Sequence, residues 1–179
     1  GEKQIHRKAL TIIPARDGRT WHRDADGNTW RTYVFVEGAV THDVIGSPEM
    51  AYQAARAFGH FQGLLADLPQ PRLAETIPDF HNTPQRFAVL EQAIRTDKVN
   101  RAAGVRSELD FALARRDMTE LLVGLQRQGR IPERITHNDT KLNNVMLDQA
   151  TGTGICVIDM DTVMRGVVQF DFGDMVRSA

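Results

Sequence analysis

The eight residues His137-Asn138-Asp139-Thr140-Lys141-Leu142-Asn143-Asn144 decide how the rest of the chain is read. Five of them are charged or amide-bearing, yet apolar runs follow closely. Polar residues held between buried strands usually serve a site. Val145-Met146-Leu147 reads as a short strand, Asp148 to Gly154 as a turn with two glycines, and Ile155-Cys156-Val157-Ile158 as the returning strand. A turn centred between Thr151 and Gly152 sets Asn144 opposite Asp159. Facing residues have Cβ atoms about 4.5–5.5 Å apart, close enough to share one cation.

The spacing of His137, Asp139 and Asn144 matches H-x-D-x-x-x-x-N, the catalytic loop of kinases. In that loop the aspartate accepts the acceptor's proton and the asparagine binds a metal. Asp159, in Ile158-Asp159-Met160-Asp161, supplies a carboxylate at the end of a buried strand. An asparagine oxygen and a carboxylate suit magnesium, which takes oxygen ligands from few side chains and completes its shell with phosphates and water. Lys141, two residues after Asp139, directs a cation toward a transferred phosphoryl group, where charge neutralisation is most of the catalysis.

Other residues invite weaker assignments. His137 is expected to pack beneath the loop rather than to catalyse. Asp171-Phe172-Gly173 looks like a metal-binding D-F-G, but Asp159 already has the required spacing, so Asp171 is read as support for the loop or a helix cap. Asp161 shares a strand face with Asp159 if the strand continues. Trp21 and Trp30 are read as cross-strand packing rather than a stacking platform. Cys156 sits in a buried strand and is expected to be inert. His6, His22, His42, His60 and His81 lack metal-ligand spacing.

Upstream, Leu10-Thr11-Ile12-Ile13, Thr20-Trp21-His22-Arg23 and the run Thr29 to Val36 read as a small antiparallel meander with Asp17-Gly18 and Asp26-Gly27 as turns. Ser47-Pro48 starts a helix with Met50, Ala54, Phe58, Phe61 and Leu65 as its apolar stripe. Thr83-Pro84 starts a second helix, to about Arg95. Ser107 starts a third, with Phe111, Ala114, Met118, Leu121, Leu122 and Leu125 facing inward. Asp174 to Arg177 reads as the first turn of a last helix. The order predicts an α+β protein of two lobes: 1–40 from a sheet-bearing lobe ending in a hinge, and 41–179 a helical lobe with the catalytic loop and metal hairpin.

The 179 residues are 41% hydrophobic and 25% charged, enough for one sizeable core, with a formal net charge of −1 that speaks against nucleic-acid binding. No apolar run reaches the roughly 20 residues of a membrane span, no signal peptide is visible, and one cysteine forms no disulfide framework. These features point to a cytoplasmic protein.

His137-Asn138-Asp139-Thr140-Lys141, Ile158 to Met164 and Asp171-Phe172-Gly173-Asp174 resemble the aminoglycoside-phosphotransferase-like kinases, which include choline and sugar kinases, and within them most closely the N-acetylhexosamine 1-kinases. Trp30 to Glu37 resembles the last strand of such a kinase's first lobe running into its hinge. The resemblance implies a protein-kinase-like two-lobe fold present in part, ATP and Mg²⁺ as cofactors, and a small-molecule substrate, most simply a sugar. It implies Asp139 as base, Asn144 and Asp159 as magnesium ligands, and adenine against the backbone of Phe35, Val36 and Glu37. A glycine-rich phosphate loop and a strand lysine are expected before Gly1, and further helices beyond Ala179. The chain is therefore expected to be a fragment, inactive alone and prone to self-association. A choline- or aminoglycoside-type kinase and a catalytically inactive binding module are the competing expectations.

Overall fold

The computed structural model describes residues 6–68 and 73–179. The N-terminal strands form one nested hairpin rather than the expected meander. β1 (Ile12–Ile13) pairs with β4 (Thr32–Tyr33), and β2 (His22–Arg23) pairs inside them with β3 (Thr29–Trp30). The Asp26-Gly27 turn holds because Asp24 accepts from the backbone N–H of Asp26 and Asn28, and Gly27 takes φ +86°. Trp30 stands opposite His22, not Trp21, and donates its indole N–H to Asp24 at 2.7 Å. Trp21 instead lies under the guanidinium of Arg19. Trp30 is thus cross-strand to His22, and Trp21 lies just outside the paired positions of β2.

Past the hinge, β5 (Ala39–Val40) joins β7 (Val145–Asp148) and β8 (Gly154–Val157) in a three-stranded antiparallel sheet of order β5-β7-β8. Helix α1 (Pro48–Leu64) starts as the Ser47-Pro48 signal predicts, with the Ser47 hydroxyl accepting from Met50 N–H at 3.2 Å. Its stripe meets the sheet. Ala54 and Phe58 are buried with Leu142, Val145, Leu147 and Val157, and Met50 and Phe61 pack at the margin. The approach is close: a Cβ on Gly154 would lie 2.8 Å from the Gln53 carbonyl, so glycine is what lets α1 sit on β8.

Helix α2 (Thr83–Thr96) follows a cap by Asn82 rather than Thr83. The predicted third helix is broken into α3 (Arg106–Leu113), a 3₁₀ turn (Arg116–Glu120) and α4 (Leu121–Arg127). Local bonds compete with the helical ladder there: Thr119 Oγ1 donates to the Arg116 carbonyl and Arg115 to the Phe111 carbonyl. Arg116 also pairs with Glu91 of α2 at 2.8 Å, pulling the turn sideways. Phe111, Met118 and Leu121, expected inside, are 61%, 66% and 58% exposed.

A second ribbon pairs β6 (Arg134–Thr136) with β9 (Met164–Gly166), and α5 (Val168–Ser178) closes the chain. Asp174 to Arg177 therefore lies in the later turns of α5, not its first. Cβ on Gly166 would lie 2.9 Å from Asn138 Oδ1, so the ribbon can close on the loop only with glycine there. The order of mixed ribbons and helices is α+β, as predicted.

Candidate active site

The loop 137–144 leaves β6, passes under α1 and enters β7. His137 is fully buried with Phe58 and Phe61 edge-on against its ring. Its Nε2 faces the Ile158 carbonyl at 2.8 Å, and its Nδ1 faces the Asp139 amide at 3.3 Å. A proton on Nε2 satisfies both contacts, which leaves the ring as a prop for the loop. Asn138 takes φ +68°, a left-handed conformation that asparagine tolerates better than most residues. Its side chain bonds the Thr136 and Thr162 carbonyls, so the turn that carries Asp139 is held from β6 and from the 3₁₀ turn Met160–Thr162.

Asp171 is the anchor of this loop. It is fully buried, and its two oxygens accept from His137 N–H (3.0 Å), Asn138 N–H (2.7 Å) and the Gln62 amide (2.6 Å). Charge-assisted bonds of this number satisfy a buried carboxylate. The helix cap at α5 is Val167, so Asp171 supports the loop rather than capping the helix. Sequence reasoning missed its partner Gln62, which lies 109 positions away.

Asp139 is half-buried. Its Oδ2 accepts from Lys141 Nζ at 2.8 Å and from Asn144 Nδ2 at 3.0 Å. Both donors therefore converge on one oxygen, and Oδ1 has no hydrogen bond to another described residue. That orientation leaves Oδ1 as the atom that can receive a proton. The hydrogen bond that the Lys141 ammonium donates to Asp139 raises its pKa above its ordinary value, and the carboxylates of Asp159 and Asp174 add to the effect. Lys141 thus points at Asp139, not away from it.

The hairpin register differs from the expected one. Val145 faces Val157 and Met146 faces Cys156, and a bulge then brings Leu147 opposite Gly154. Asn144 is therefore paired with Ile158, whose N–H donates to its carbonyl at 2.9 Å, and Asp159 lies one residue further on. The cause is the turn. Asp148 Oδ1 accepts from the N–H groups of Ala150 and Thr151, and Asp148 N–H bonds the Thr153 carbonyl, which closes the loop more tightly than expected before the bulge. The strand also does not continue through Asp161. Asp159 takes φ +62°, and Met160–Thr162 turn into a 3₁₀ helix. Asp161 is paired with Arg31, a contact no local pattern signals.

The atoms left available still suit magnesium. Asn144 spends its amide nitrogen on Asp139, so Oδ1 is its free donor. The Asp159 carboxylate is exposed and makes no hydrogen bond or ion pair with another described residue. Among the described residues no group of three or more His, Cys, Asp or Glu side chains could cage a metal. A site of two protein oxygens fits an ion that takes the rest of its shell from phosphates and water. Cys156, by contrast, is buried and its thiol is pushed up to about 11, so it is not a nucleophile.

Between the hairpin and β5, where the hinge is expected, Phe35 is 81% exposed while Val36 is buried. Val34 N–H bonds the Thr11 carbonyl, and the backbone of Phe35 to Glu37 makes no hydrogen bond to another described residue. Histidine 81, passed over in the sequence, packs beside the loop. Its ring stacks on Phe170 and its Nε2 meets the Asn138 carbonyl at 3.0 Å. Burial lowers its pKa, so the ring is neutral near pH 7.

The spacing of Asp139 and Asn144 in this loop is that of kinase catalytic loops. Residues 11–179 match the model of the phosphotransferase enzyme family, and the chain belongs to that family. It is also similar to a microcompartment-associated aminopropanol kinase, with 19% identity, a TM-score of 0.57, and coverage of 94% of this chain and 52% of that one. That likeness speaks to the kinase-like α+β fold, and the chain spans about half the length of that kinase. No helix among the described residues is long and apolar enough to cross a membrane.

Proposed function

We propose that the chain carries the catalytic part of an ATP- and magnesium-dependent kinase that phosphorylates a hydroxyl of a small molecule, first among them an N-acetylhexosamine at its anomeric oxygen. The observation that carries this reading is Asp139, half-buried and turned by Lys141 and Asn144 so that Oδ1 is free. Asp139 accepts the acceptor's proton as the new O–P bond forms and the bond between the γ-phosphorus and the β–γ bridging oxygen breaks, with ADP leaving. Asn144 Oδ1 and Asp159 would hold magnesium, which neutralises phosphate charge when bound. Lys141 supplies a second positive charge beside the base. The free backbone of Phe35 to Glu37 suits the adenine edge.

Support for the sugar comes from the resemblance of the loop, of Ile158 to Met164 and of Asp171 to Asp174 to N-acetylhexosamine 1-kinases. The test is transfer of labelled γ-phosphate by the polypeptide as the cell makes it, across N-acetylhexosamines, plain hexoses, choline, aminopropanol and an aminoglycoside. Magnesium-dependent product on an N-acetylhexosamine is the expected result. Transfer only to an amino alcohol or aminoglycoside overturns the sugar assignment and keeps the chemistry. Tight nucleotide binding with no transfer to any acceptor points to a binding module.

A further inference from the structure

The N-terminal hairpin holds itself together by β1–β4 and β2–β3 pairing and leaves Ile13 and Trp30 exposed. Among the described residues, one hydrogen-bonded ion pair joins residues 10–34 to the catalytic half: Arg31 Nη2 donates to Asp161 Oδ1. Asp161 is gripped from its other side as well, since its backbone carbonyl accepts from Thr76 Oγ1 at 2.8 Å. Two residues before it stands Asp159, at the start of the same 3₁₀ turn. The hairpin is thus tied to the rest of the chain at three points. One tie is covalent, through the hinge at 35–38. A second lies just before the hairpin, where Arg7 Nη2 donates to Asp148 Oδ2 at 2.7 Å. The third is Arg31, on the side where the carboxylate of Asp159 lies, which makes no ion pair with another described residue.

We propose that Arg31 is a positioning residue: by pairing with Asp161 it docks the hairpin over the cleft and fixes the spacing between the hinge backbone and the turn that carries Asp159. Both side chains are partly exposed, at 43% and 64%, so water screens the pair and its yield in overall stability is small. Its effect falls on geometry, because within residues 10–34 no other described polar contact reaches the catalytic half. A nucleotide that spans from hinge to metal would be sensitive to that spacing. This last step rests on the function proposed above; the docking itself does not.

Two measurements separate these claims. Spin labels at Asp26→Cys in the hairpin turn and Ala150→Cys in the β7–β8 turn report the distance across the cleft, and buried Cys156 does not compete for label. A single narrow distance distribution is expected in the parent. It broadens in Arg31→Ala and in Asp161→Ala, broadens no further in the double variant, and narrows again when the charges are exchanged as Arg31→Asp with Asp161→Arg. Unchanged distributions in both single variants overturn the docking. The second measurement is the affinity for a fluorescent ATP analogue with magnesium. Arg31→Ala is expected to weaken it about fivefold or more, a typical coupling between distant groups, with the melting temperature held and charge exchange restoring it. Affinity equal to the parent's, with the hairpin undocked, overturns the positioning role. Absence of binding in the parent itself overturns the functional reading and the positioning role with it, while the distances still decide the docking.

Discussion

Asp171→Ala is expected to destabilise the fold by about 3–5 kcal/mol, the cost of stripping one partner from a buried charged network. The loss has a definite source. Two backbone N–H groups, those of His137 and Asn138, and the Gln62 amide all donate to this carboxylate in a site closed to water. Alanine leaves all three unpaired, and buried donors without partners pay their full desolvation cost. Total stabilities of about 5–15 kcal/mol make such a loss decisive. Chemical denaturation of the variant checks it. Asp171→Asn, which keeps an acceptor, is expected to lose less, and Phe172→Ala next to it, 66% exposed, is expected to lose little. An Asp171→Ala protein within about 1 kcal/mol of wild type would mean that the loop is held by something else.

Asp139→Asn is expected to do the opposite: to leave the fold and remove the rate. Asparagine keeps the shape and can still accept from Lys141 and Asn144, but it cannot take the acceptor's proton. A fall in turnover of roughly 10²–10⁴ is expected, the usual contribution of a general base. The ion pair with Lys141 is partly exposed, with side-chain exposures of 38% and 22%, so its loss moves stability by about 1 kcal/mol at most. Steady-state kinetics with a thermal melt on the same sample separates the two effects. Turnover near that of the parent removes Asp139 from the chemistry.

Much of the site was legible because its signals are local. An eight-residue stretch with a single apolar residue, Leu142, between apolar runs, and a serine–proline pair before a 3–4 residue apolar repeat, announce a loop and a helix without tertiary knowledge. The role of Asp171 was foreseen for a related reason: Asp159 already satisfied the spacing a metal ligand needs. What failed depended on finer or longer-range terms. The hairpin register turned on Asp148, whose carboxylate captures the N–H groups of Ala150 and Thr151 and so shifts the turn. The continuous third helix broke because Arg116 found Glu91 and because Thr119 and Arg115 bonded their own backbone. Arg31 and Asp161 are 130 positions apart, and His81 reaches Asn138 across 57, so neither contact has a sequence signature.

On the proposed function, nucleotide and magnesium meet the chain between residues 35–37 and the loop 139–144. A backbone amide spectrum of residues 1–179 during titration with magnesium and ATP tests this. Shifts are expected only at Phe35 to Glu37, at Asp139 to Asn144 and at Asp159 to Asp161, with the last two groups losing their response when magnesium is withheld. Shifts clustered elsewhere, or an unchanged spectrum at those residues under saturating nucleotide, would contradict it.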